Sequence, residues 1–159
     1  MSQITHQYRT SLDWVGSTGA GYEAYDRAHR LEAVGPGQVL DLSADASFRG
    51  DPGLLNPEQL LVAAASSCQL LSFLAVAARA RLDVTAYRDE AVAVMPEGDP
   101  PVRITRIDLH PTVTFAAGDR PPTEDGRLRH LTEVAHRECF IANTLRCEVL
   151  VHPTFRWTD

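Results

Sequence analysis

One stretch limits the folds open to this chain more than any other. Residues 59–82 are an almost unbroken run of Leu, Ala, Val, Ser and Phe, with Asn56-Pro57-Glu58 at its head. Asn56 suits a helix N-cap, and Pro57 suits the first turn, where its missing N–H is no loss. The run predicts one long, mostly buried helix over about 57–82. It carries Cys68 inside it and a carboxylate, Glu58, at its start. A second cysteine, Cys139, falls near the end of another helical stretch, 130–145. Two cysteines placed this way suggest thiol chemistry more than packing.

The run is long enough to span a membrane. Ser66, Ser67, Gln69, Ser72, Arg79 and Arg81 interrupt it, so it reads as the core helix of a soluble protein. A length of 159 residues is that of one domain, here expected to cover 1–159, and can bury a substantial core. The net charge of −6 argues against a nucleic-acid partner, which calls for a basic face. The 15 basic residues are all Arg. Lysine mechanisms are thereby excluded, and any cation at a reacting centre is Arg or His. Residues 1–10 are polar and lack the apolar core of a signal peptide. Three cysteines, an odd number, do not make a disulfide scaffold. A cytoplasmic protein with reduced thiols is expected.

Around the long helix the pattern is mostly that of strands. Residues 5–14 alternate, Gly16, Gly19 and Gly21 make a turn region, and 22–33 return as a second strand. Gly35-Pro36-Gly37 is a strong turn signal, 39–43 a third strand, and 48–55 a loop into the helix. After the helix, 84–95 and 102–115 alternate on either side of a turn at 96–101 and read as a hairpin closed by Pro121-Pro122. A second amphipathic helix is expected over 124–145 and a last strand over 147–157. Strands grouped this way, with helices between the groups, predict an α+β fold. No Gly-rich fingerprint follows a strand, so a dinucleotide fold is not expected.

A reacting cysteine works as the thiolate, which needs a nearby positive charge or a helix N-terminus. Cys68 lies well past the first turn of its helix, beyond the reach of the helix's own dipole. The activating cation must come from elsewhere, and without lysine that cation is most naturally Arg. Glu58 and Cys68 are ten residues apart, roughly 15 Å along a straight helix. If Glu58 serves the site, it therefore acts by orienting an arginine or from a second copy of the chain. The distance argues for a dimer with the site at its interface.

These residues carry a resemblance. Asn56-Pro57-Glu58 through Ser66-Ser67-Cys68 resembles the signature of the OsmC/Ohr family, the osmotically inducible and organic hydroperoxide resistance proteins. Ala135-His136-Arg137-Glu138-Cys139-Phe140-Ile141-Ala142-Asn143-Thr144 resembles the segment with that family's second cysteine. Tyr25-Asp26-Arg27-Ala28-His29 and Phe48-Arg49-Gly50-Asp51 are similar to patterns in one OsmC-like branch. The resemblance covers nearly the whole chain. It implies antiparallel sheets wrapped around two long central helices in an intertwined homodimer. It also implies an organic hydroperoxide reductase with no cofactor and no metal. Cys68 would be the peroxidatic cysteine, oxidised to a sulfenic acid, and Cys139 the resolving cysteine that closes an intramolecular disulfide. A lipoyl-type dithiol would reduce that disulfide by exchange. Glu58 matches the glutamate that holds the activating arginine. Arg49 has the OsmC-type placement for that arginine and Arg27 the Ohr-type. The branch is expected to carry His after its first cysteine, where this chain has Gln69.

Other readings of the same residues remain. Each cysteine could be a small core residue, and Cys147, beginning a strand among apolar neighbours, reads as one. Glu58 could be a first-turn acid on the helix dipole, and Arg27 and Arg49 surface charges. His29 and His136 lack an Asn or Asp orienter for a Cys–His protease, and Cys139 with His136 is too sparse for zinc. Trp14, Tyr22, Tyr25, Phe73 and Phe140 suit a core, an interface or the wall of an apolar pocket. The rival function is an OsmC-like stress protein that binds a small apolar ligand with little peroxidase turnover.

Overall fold

The long helix begins where its capping residues put it. In the computed structural model, which describes residues 4–98, 100–119 and 125–158, Asn56 Oδ1 accepts from Gln59 N at 2.8 Å, and Gln59 Oε1 accepts from Asn56 N at 3.1 Å. This reciprocal box satisfies two donors at a helix start that would otherwise be orphaned. Helix α1 spans Pro57–Arg79 and stops short of Leu82. Arg81 takes the left-handed conformation (φ 60°), so that Arg81 N and Leu82 N donate to Ala78 O and Ala77 O, both at 3.0 Å. That is a Schellman close with arginine where glycine is usual. The expectation of a mostly buried helix is corrected. Ala65, Gln69, Phe73, Val76 and Ala77 form one buried stripe. The opposite face, with Leu71 at 63% exposure and Leu74 at 37%, stays open.

The chain forms two units, Met1–Leu60 and Leu61–Asp159. The first holds an antiparallel meander of β1 (Thr10–Asp13), β2 (His29–Ala33) and β3 (Gln38–Leu42), in that order across the sheet. All three expected strands are present, the first two shorter and the third shifted by one residue. Gly35 and Gly37, both at positive φ, make the β2–β3 turn. Residues 14–28 form a loop instead of extending both strands, held by Trp14 Nε1 donating to Asp26 O at 2.9 Å.

In the second unit each expected strand after α1 is cut in two. Residues 84–95 give β4 (Val84–Arg88) and β5 (Val92–Val94), and 102–115 give β6 (Arg106–Leu109) and β7 (Thr112–Phe115). The hairpin is real. Val94 faces Arg106, Val92 faces Asp108 and Arg88 faces Thr112, one register carried across a gap at 89–91 and 110–111. Residues 147–157 give β8 (Glu148–Val151) and β9 (Thr154–Trp157), lying parallel to β6 and β7. The sheets β5-β6-β8 and β4-β7-β9 are therefore mixed, not antiparallel throughout, within an α+β fold. Pro111 and Pro153 explain two of the three cuts, since neither has an N–H to give the ladder. The chain bonds across them through His152 N to Leu109 O and Thr154 N to Pro111 O, both 2.8 Å.

The second helix is also cut. It runs as α2 (Asp125–Glu138) and α3 (Phe140–Thr144), with Cys139 between them. Pro121, Pro122 and Glu124, the expected stop and helix start, lie outside the described residues. The second unit packs two apolar clusters. One gathers Phe73, Val76, Val113, Phe115, Leu128 and Ala135, and the other Ala65, Ile107, Leu109 and Val149.

Candidate active site

The two sulfurs predicted to cooperate are together in the second unit. Cys139, expected inside a continuous helix, instead breaks it (φ −73°, ψ 108°) and caps α3 with its own side chain. Its Sγ accepts from Ala142 N at 3.5 Å, and the preceding residue's N–H donates to Cys68 Sγ, also at 3.5 Å. Consecutive amides of α3, Ile141 and Ala142, thus each meet one of the two sulfurs. These donors lie beyond the reach of α1's own N-terminus and are independent of any arginine. All three cysteines are free thiols. Cys139 is 1% exposed. Burial pushes its thiol up to about 11, and its hydrogen bond to Cys68 acts in the same direction. It is therefore a neutral donor beside Cys68 at neutral pH. Cys147 packs against the cluster of Ala65, Ile107 and Leu109, as the core reading expects.

The expected charges lie in the first unit. Arg49 ends a 3-10 turn, Ala46–Phe48, in the left-handed conformation (φ 66°), and its guanidinium pairs with Glu23. Arg27 is held more firmly. Its Nη1 donates to Tyr25 O at 2.8 Å and its Nη2 to Tyr22 O at 2.7 Å. The guanidinium carbon lies 4.0 Å from the Tyr25 ring centre and 4.7 Å from that of Tyr22, within cation–π range. Arg27 shares the wall of a cavity of about 450 Å³ with Leu12, Trp14, Tyr25 and His29. Glu58 is half-buried in the first turn of α1 and, among the described residues, is paired with neither arginine.

Residues 50–153 match the family of OsmC-like proteins. An OsmC-like protein of unknown function from Vibrio cholerae is 30% identical and superposes with a TM-score of 0.83, over 94% of this chain and all of that one. The chain belongs to the OsmC family. Two further structures share its fold. One is an organic hydroperoxide resistance protein OsmC from Legionella pneumophila (17% identity, TM-score 0.69, covering 97% of this chain and 99% of that one). The other is an organic hydroperoxide resistance protein from Elizabethkingia anophelis (16% identity, TM-score 0.65, covering 99% and 100%). No curated protein matches the sequence.

This OsmC-family chain also has polar residues in its second unit that no sequence motif marks. Asp89 sits in the gap of the hairpin, accepting from His110 N at 2.7 Å and from the Ser66 hydroxyl of α1. An aspartate in the middle of an alternating run was the available signal. Tyr87, one of the alternating residues of 84–95, gave none. Gln69 was noticed for its place after Cys68. Its burial at 1% exposure becomes visible only in the fold.

Proposed function

We infer that this OsmC-family protein is a thiol peroxidase that reduces organic hydroperoxides. The observation that carries the reading is the contact of Cys68 with Cys139, two thiols far apart in sequence that share α3's amides. The Cys68 thiolate attacks the terminal oxygen of ROOH, releasing ROH and leaving Cys68 as a sulfenic acid. Cys139 displaces that oxygen as water and closes the disulfide. A lipoyl-type dithiol restores both thiols by exchange. In this reading the activating cation is Arg27 or Arg49, with Glu58 orienting it. Arg27 is favoured over Arg49, because it is already ordered by two carbonyls and two rings while Arg49 is engaged by Glu23.

The working form in this reading is a cytoplasmic homodimer. The exposed apolar face of α1 supports the dimer, as do Leu12, Val39 and Leu40 on the first unit's sheet, since a monomer seldom leaves so much apolar surface open. The test compares wild type with Cys68→Ser in consuming cumene hydroperoxide in the presence of dihydrolipoamide. Rapid consumption by wild type alone is expected. Equal consumption by both would leave the binding of an apolar ligand, in a cavity such as that beside Arg27, as the better account.

A further inference from the structure

The second unit's two apolar clusters do not merge. On α1 they are separated between Ala65 and Phe73, at Gln69, and on the α2–α3 segment between Ala135 and Ile141, at Cys139. On the sheet they part between Tyr87 and Ala91, at Asp89. A polar layer therefore crosses the interior at the level of the sulfurs. Tyr87 packs at the edge of the first cluster, its ring 6.2 Å from that of Phe73, one helical turn beyond Gln69. In this layer Gln69 Nε2, Gln69 Oε1 and Tyr87 Oη are buried, and none has a protein partner. Buried polar groups are nearly always hydrogen-bonded, so these three leave hydrogen-bonding capacity for a further group in the layer, where Tyr87 also feels Cys139.

We propose that Gln69 and Tyr87 are the hydrogen-bond donors for the oxygen that Cys68 carries in its sulfenic form, holding it for displacement by Cys139. This rests on the reading of Cys68 as the oxidised cysteine. In the step, the Cys139 sulfur gives an electron pair to the Cys68 sulfur, and the Cys68 S–O bond breaks. The oxygen leaves with its own hydrogen and the Cys139 thiol proton as water. Cys68 is reduced as Cys139 is oxidised, and no further oxidant is consumed. The Gln69 N–H and the Tyr87 O–H bond the oxygen as negative charge builds on it, the arrangement that favours a leaving oxyanion.

The test uses the full chain with Gln69→Met, which keeps length and removes hydrogen bonding, and with Tyr87→Phe. Stopped-flow mixing separates first-turnover peroxide loss from disulfide formation, and dimedone traps the sulfenic acid. Peroxide loss should slow less than disulfide formation. Disulfide formation should slow about tenfold for each lost donor, with more dimedone adduct on Cys68. Gln69→His, which retains an N–H, should recover most of the rate. The thermal midpoint of Gln69→Met should not fall, because a buried orphan amide is removed. If Gln69→Met does not fold, Tyr87→Phe carries the comparison. Wild-type resolution in both variants, or an equal slowing of both steps, overturns the proposal. Should cumene hydroperoxide not react even with wild type, the peroxidase reading fails. Excess hydrogen peroxide then makes the sulfenic acid, and the same resolution rates still decide the role of Gln69 and Tyr87.

Discussion

Replacing Asp89 by alanine should loosen the second unit where its strands and α1 are clipped together. The carboxylate accepts from His110 N at 2.7 Å across the hairpin gap and from Ser66 Oγ on α1. A hydrogen bond to a charged group is worth about 1.5–3 kcal/mol. His110 is exposed, so its freed amide can turn to water, whereas Ser66 is half-buried and recovers less. The expected loss is roughly 2–4 kcal/mol for the two bonds together. For a chain of this size about 1 kcal/mol shifts the melting midpoint by about 2–4 °C, so Asp89→Ala should melt roughly 5–15 °C lower. Asp89→Asn keeps an acceptor for His110 N and should lose about half as much. Urea and thermal unfolding followed by circular dichroism measure both. An Asp89→Ala variant within about 0.5 kcal/mol of wild type would refute the clip.

Three further outcomes follow from particular residues. At Gly50 an added Cβ would fall 1.6 Å from Ala44 O, so Gly50→Ala should cost more than about 2 kcal/mol and raise amide exchange around the 45–50 turn; an unchanged midpoint contradicts this. Burial holds the Cys139 thiol at about 11, so its alkylation in the reduced protein should be slow at pH 8 and climb toward pH 11. Because this value is raised, it favours the folded state below the ordinary thiol value of 9.0, and that contribution is lost as pH rises through about 11. A flat alkylation profile would contradict the assignment. Leu71→Glu puts a charge on the exposed apolar face of α1 and should shift the proposed homodimer toward monomer in light scattering, while an unchanged mass would remove that face from the proposed interface.

The sequence was most legible where local chemistry decides the structure. Asn56 and Pro57 set the start of α1, and the hydrophobic alternation marked the hairpin, while its register comes from the fold. The end of α1 was hidden because Arg81 adopts a conformation usually left to glycine. The strand cuts at Pro111 and Pro153 were readable in principle, since proline cannot donate to a ladder. At 89–91 an aspartate inside the alternating run was a signal, but the distant amide its carboxylate reaches, His110 N, is not visible in the local pattern. The break at Cys139 has neither proline nor glycine to mark it. It exists because a sulfur can serve as the cap of the next helix. The pairing of Cys68 with Cys139 came from resemblance to a family, and the fold supplied their geometry. The choice between the arginines was open in the sequence because placement in the chain does not reveal that Glu23 pairs with Arg49 or that tyrosine rings hold Arg27.

The most direct measurement is peptide mapping of the protein after one equivalent of cumene hydroperoxide, without reductant. A single bridge joining Cys68 to Cys139, with Cys147 still alkylatable, is the predicted result. A bridge involving Cys147, or thiols untouched by the hydroperoxide, would contradict the account.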